Sequence, residues 1–206
     1  MKIVDQCRAL ARVFVAVAAG ALFMSAIAGP AAADGKGNQN GKPVLTFNGG
    51  IGVIPLVSVT GCPTTCVPNL NVVRGVTPGG TPWAIEQFNA QVFANGSIKV
   101  SGQGLVLAGG ANPGQAPTPA LSVLANLICQ TAAGSPGPPP IPPTYQSSLT
   151  STAGVTLSPY GDFQINDNLS PTPPVPCVNP VLLIQSTPTN HWFAIGVLSP
   201  NPAKND

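Results

Sequence analysis

The chain has 206 residues, 44% of them hydrophobic and only 7% charged, with a formal net charge of +2, 25 prolines, 23 glycines and five cysteines. The whole excess of charge sits at the start, where Lys2, Arg8 and Arg12 outweigh Asp5; the remainder balances Lys36, Lys42, Arg74, Lys99 and Lys204 against Asp34, Glu86, Asp162, Asp167 and Asp206. So sparse and neutral a chain can neither neutralise a row of phosphates nor present a polybasic cluster to anionic lipid, which excludes nucleic acid and, once the leader is removed, a membrane as partners.

The N-terminus reads as an export signal. Its basic residues precede an uncharged, mostly apolar run from Val13 to Ala28, and Ala31-Ala32-Ala33 offers small residues at a cleavage point. That run is interrupted by Gly20 and Ser25 and closes on Gly29-Pro30, short of the ~20 apolar residues a membrane span needs. We therefore read 1–33 as a signal peptide, 34–43 as a flexible tail, 44–198 as one β-sandwich-like domain and 199–206 as a C-terminal tail. The location is secreted, extracellular or periplasmic. Removing 33 of 206 residues leaves 173, enough for one domain with a real core and too few for two.

Short apolar runs bounded by Pro, Gly or Asn begin at Val44 to Phe47 and continue at Ile51 to Val59, where the chain enters Gly-Cys-Pro-Thr-Thr-Cys-Val-Pro-Asn. Cys7 leaves with the leader, so Cys62, Cys66, Cys129 and Cys177 remain. An even number in an exported chain reads as two disulfides. A structural zinc site uses two close pairs and only one is present, while redox chemistry favours Cys-x-x-Cys and this stretch has one residue too many. Pro63 and Pro68 force a tight turn that brings Cys62 to Cys66, leaving Cys129 to join Cys177 across a long loop.

Leu70 to Val73 is the next run, followed by Trp83 to Ile85. From Phe88 to Val100 the pattern is sharper: Phe88, Ala90 and Val92 alternate with Asn89 and Gln91, Asn95-Gly96 interrupts, and Ile98 and Val100 alternate with Ser97, Lys99 and Ser101. Asn-Gly between alternating runs predicts a hairpin. Leu105 to Leu107 is short. Leu121 to Gln130 admits helical spacing, but alternation of Leu121, Val123, Ala125, Leu127 and Cys129 keeps Ser122, Asn126 and Gln130 together on the other face and predicts a strand.

A second hairpin is expected from Val155 and Leu157 to Phe163 and Ile165 across Ser158-Pro159-Tyr160-Gly161. Val181 to Ile184 and Trp192 to Leu198 complete the series. These make about nine or ten strands at the spacing of a sandwich or barrel, so the expected fold is all-β, a single antiparallel sandwich-like domain. All but Pro30 of the prolines follow the leader, concentrated at 113–119, 136–143 and 171–176; such runs cannot donate to a ladder and are expected in loops. "CVPNLNVV" with "PWAI" also resembles "CVNPVLLI" with "HWFAI"; duplicated halves of a sandwich are one reading, but the period is too long and the match too short for a repeat array, which favours two strands with the same role.

Chemistry is thinly supplied. His191, the one histidine, is the single candidate for a histidine-dependent catalyst, and no Gly-x-Ser-x-Gly elbow accompanies it. Asp162 and Asp167 are the closest acids, but five strand residues span about 16 Å and point to opposite faces, against the roughly 5 to 9.5 Å that glycosidases hold. Asn166, Asp167 and Asn168 offer oxygen ligands to calcium without the spacing of a calcium loop. Trp83 and Trp192, with Tyr145 and Tyr160, are candidates for a sugar-stacking platform, although strand positions favour a core role for the tryptophans. No cofactor is expected. The favoured function is a secreted, disulfide-stabilised, non-catalytic structural or binding domain for an extracellular ligand or protein; the alternatives are a small secreted hydrolase using His191 and an extracellular carbohydrate-binding module.

Overall fold

A computed structural model describes residues 41–63, 65–150, 153–187 and 189–200; the expected signal peptide and most of the N-terminal and C-terminal tails lie outside the described residues. Thirteen strands follow one another: β1 (Leu45–Gly52), β2 (Leu56–Thr60), β3 (Val67–Leu70), β4 (Trp83–Ala84), β5 (Gln87–Val92), β6 (Ser97–Gln103), β7 (Val106–Leu107), β8 (Ser122–Ala132), β9 (Thr144–Leu149), β10 (Val155–Thr156), β11 (Phe163–Asn168), β12 (Val178–Thr187) and β13 (Trp192–Leu198). The described residues contain no helix, and so none long and apolar enough to cross a membrane.

Nine of the strands form one antiparallel sheet in the order β10-β8-β12-β13-β1-β5-β6-β11, with β9 also paired to β8. β9 and β10 share one edge of β8, β9 along Asn126 to Ala132 and β10 at Ser122 and Val123. The sheet curls as a half-barrel. At one place its ends touch: Leu149 of β9 and Ser170, just beyond β11, exchange backbone hydrogen bonds of 3.0 and 2.8 Å.

This curl corrects the second expected hairpin. The turn forms, with Ser158 N donating to Asp162 O at 2.9 Å and Gly161 N to Ser158 O at 2.9 Å, but its flanking strands do not pair with each other. β10 pairs with β8 and β11 with β6. Turn chemistry is local and was legible; the ladder partners are set by where the sheet's two ends fall. The first hairpin forms as expected, β5 against β6 from Gln87 opposite Gln103 to Val92 opposite Ile98.

Alternation builds the core. Phe88, Ala90 and Val92 of β5 and Phe163 and Ile165 of β11 are buried while Asn89, Gln91, Gln164 and Asn166 face out. Glycines make room for the rings: a Cβ on Gly102 would lie 2.2 Å from the Phe163 ring, and one on Gly196 would lie 2.7 Å from Phe88. β8 departs from alternation, being buried on both faces from Val123 to Cys129. Its outer side is covered by a strap, residues 71–79, that leads from β3 towards β4.

Two anchors hold the strap down. On one side Trp192 donates its indole N–H to Asn71 O (3.0 Å) and its backbone N–H to Thr77 O (3.0 Å). On the other, Arg74 Nη1 donates to Ile128 O at 2.6 Å and its guanidinium lies 4.7 Å from the Tyr145 ring centroid. Arg74 and Gly75 have φ of 48° and 85°, the left-handed pair that a two-residue mirror-image turn requires, and Val73 and Val76 bond each other across it.

Candidate functional site

Both disulfides are present: Cys62 with Cys66, Cα atoms 4.7 Å apart, and Cys129 with Cys177, 5.2 Å apart. The first closes the tip of the β2–β3 ribbon. The second ties β8 to the start of β12, next to the pairing of Val178 with Gln130. Two such bonds suggest an oxidising, extracellular type of environment.

The other expected site residues are dispersed. His191 sits in the connection from β12 to β13, where its backbone carbonyl accepts from Ser186 N at 2.8 Å, and no described side chain hydrogen-bonds its imidazole. Asp162 caps a turn, its carboxylate accepting from Gly104 N at 3.1 Å; Asp167 stands at the far end of β11 and accepts from Asn168 N at 2.7 Å. Asn166 and Asn168 share one face of β11, and Asp167 takes the other, as strand geometry demands. Among the described residues no three of His, Cys, Asp and Glu come together as metal ligands. Trp83 and Trp192 are buried, Trp83 stacking on Phe193 with ring centroids 4.3 Å apart and Trp192 committed to Asn71. Tyr160 is open to solvent in its turn, and Tyr145 carries Arg74.

What the fold assembles instead is a polar trough on the outer face of β1, β5, β6 and β11, about 420 Å³ in volume. Register places its side chains in two rows. Thr46, Gln91, Lys99 and Asn166 stand abreast in one; Asn48, Asn89, Ser101 and Gln164 stand abreast in the next. With strands spaced about 4.8 Å, four side chains reach across about 14 Å. Seven of the eight are amides or hydroxyls, each able to donate and accept, and Lys99 is the one charge. Sequence alternation pointed Asn89, Gln91, Lys99 and Ser101 outward, but the alignment of β1 and β11 beside them is a matter of sheet order that alternation does not encode.

No known protein family, no curated protein sequence and no solved structure matches this chain.

Proposed function

We propose that this chain is a secreted, disulfide-stabilised, non-catalytic binding domain, led out of the cell by residues 1–33, whose ligand lies across the trough of β1, β5, β6 and β11. In this reading the two halves of the curled sheet act as the facing layers of a sandwich-like domain. The proline-rich stretches serve as its loops. The observation that carries the proposal is the pair of polar rows, four side chains wide and uncharged but for Lys99, on strands fixed from behind by Phe47, Ala90, Val100 and Ile165. Rigid elements position contacts better than loops do, and a surface so short of charge suits an extended, uncharged, hydrogen-bonding ligand. The partner is accordingly extracellular, a neutral polymer or a protein segment, with neither nucleic acid nor membrane involved.

The test is retention on arrays of neutral glycans and of peptides. A ligand captured by the protein should be lost on combining Gln91→Ala with Asn166→Ala, outward substitutions that leave the melting temperature in place. Capture that survives this pair overturns the assignment of the trough. Turnover of ester, peptide or glycoside substrates that vanishes in His191→Ala would replace the binding domain with the hydrolase.

A further inference from the structure

A second concavity, about 290 Å³, opens on the outer face of β8, β9 and β12 beside the strap. It lies on the other half of the sheet from the trough and shares no residue with it. Its floor is made of two carboxamides that ought not to be there: Asn126 is 2% exposed and Gln185 is 1% exposed. In the β8–β12 ladder Asn126 faces Leu183 and Gln185 faces Leu124, so the two amides are diagonal neighbours on one face.

Their hydrogen bonds are incomplete. Ser147 of β9 donates to Asn126 Oδ1 at 2.5 Å. Asn126 Nδ2 and both amide atoms of Gln185 have no hydrogen-bond partner among the described residues, and they border the concavity instead of being sealed in. Buried polar groups are nearly always paired, and leaving one unpaired is unfavourable. Two such groups at the edge of one concavity are therefore partners for something that enters it.

The geometry points to a binding site for a single neutral polyol ring, a monosaccharide unit, gripped by the side-chain amides of Gln185 and Asn126. A carboxamide sets a donor beside an acceptor, and adjacent ring hydroxyls, each able to donate and accept, meet that pair in kind. Among the described residues no charged side chain lines the cleft; Arg74, beside Gly75 in sequence, is committed to Ile128 O and Tyr145. A phosphate, carboxylate or ammonium would be desolvated there without compensation. Val76 and Leu149 supply apolar wall for the C–H face of a ring, with Thr77 and Asn190 at its side. The volume stands at the lower limit of small-molecule pockets, about 300 Å³, which admits one ring and little more.

The site does not rest on the trough reading, and the test separates them. Nitrogen-15-labelled protein with both disulfides formed is titrated separately with D-glucose, D-galactose, N-acetyl-D-glucosamine and myo-inositol into the high millimolar range, following the side-chain NH₂ resonances of Asn126 and Gln185. We expect saturable shifts of both amides with at least one of these probes, unchanged in Gln91→Ala. Gln185→Leu should weaken that binding about tenfold or more while keeping or raising the melting temperature, because it removes an unpaired buried amide. Absence of saturable shifts with all four probes overturns the proposal whatever the variant does. So do shifts that persist in Gln185→Leu, or a variant whose melting temperature falls, which would mark the amide as structural and bonded to solvent only.

Discussion

Gly102 lies between two phenylalanines, opposite Phe88 on β5 and opposite Phe163 on β11. Because the Phe163 ring occupies the place of a Cβ, Gly102→Ala must push the ring or the strand aside. We expect a loss of about 1–3 kcal/mol, read from the urea midpoint, and an unchanged midpoint would mean that the ring moves freely. Ser148 presents the opposite case. It is fully buried opposite Leu127, and its hydroxyl has no partner among the described residues, so Ser148→Ala should leave stability unchanged or raise it by up to about 1 kcal/mol. Neither residue announces itself in sequence. Gly102 reads as a gap in an alternating strand, and its meaning depends on a ring from another strand. Asn126 likewise reads as outward-facing with Ser122 and Gln130; it is outward on the sheet but buried, because the strap and β9 enclose that face.

The β2–β3 ribbon shows how an element can be legible as strand and illegible as to role. Leu56 opposes Leu70 and Val59 opposes Pro68, while Ser58 and Asn69 join through a 2.8 Å side-chain bond. Every residue of both strands is exposed. The resemblance of "CVPNLNVV" to "CVNPVLLI" predicted two strands with the same role, yet Asn71 to Val73, which stand where β12 has the fully buried Leu182 to Ile184, fall beyond β3 with Val72 exposed. Hydrophobic pattern identifies a strand; burial depends on what is stacked upon it. A two-stranded ribbon is marginal alone, and here it is closed at its tip by Cys62–Cys66 and at its base by Asn71, which bonds Pro55 O and Ile54 O. Replacing Cys62 and Cys66 together by serine should therefore quicken amide exchange across β2 and β3 while leaving the melting transition of the nine-stranded sheet nearly in place. A large fall in that transition would show the ribbon to be coupled to the core.

At the scale of the whole molecule the all-β class and both cysteine pairs were readable from spacing and turn residues, whereas the order of strands in the sheet was not. Turn signals reveal where a chain reverses, and the reversal at 158–161 joins strands from opposite ends of the sheet order. Such long-range order makes Cys129–Cys177 the bond on which stability should depend most. It joins β8 to β12, neighbours at the heart of one half of the sheet, and encloses a loop of 48 residue steps containing β9, β10 and β11. Constraining a loop of that length removes about 4 kcal/mol of unfolded-state entropy in the chain-entropy model, a large part of the roughly 5–15 kcal/mol by which a domain is stable. The bond also pins the irregular end of the β8–β12 ladder, where the register shifts between Val178 and Val181 and Asn179 turns to donate to Gln130 at 2.7 Å. Cys129→Ser with Cys177→Ser should thus lower stability by about 4 kcal/mol by this loop-entropy reckoning, about twice what the same reckoning gives for the short Cys62–Cys66 loop, and reductant should reproduce the loss in the unaltered protein. Equal effects of the two double substitutions in denaturant melts would contradict the argument, since they would place the gain in local geometry and not in the length of chain each bond encloses.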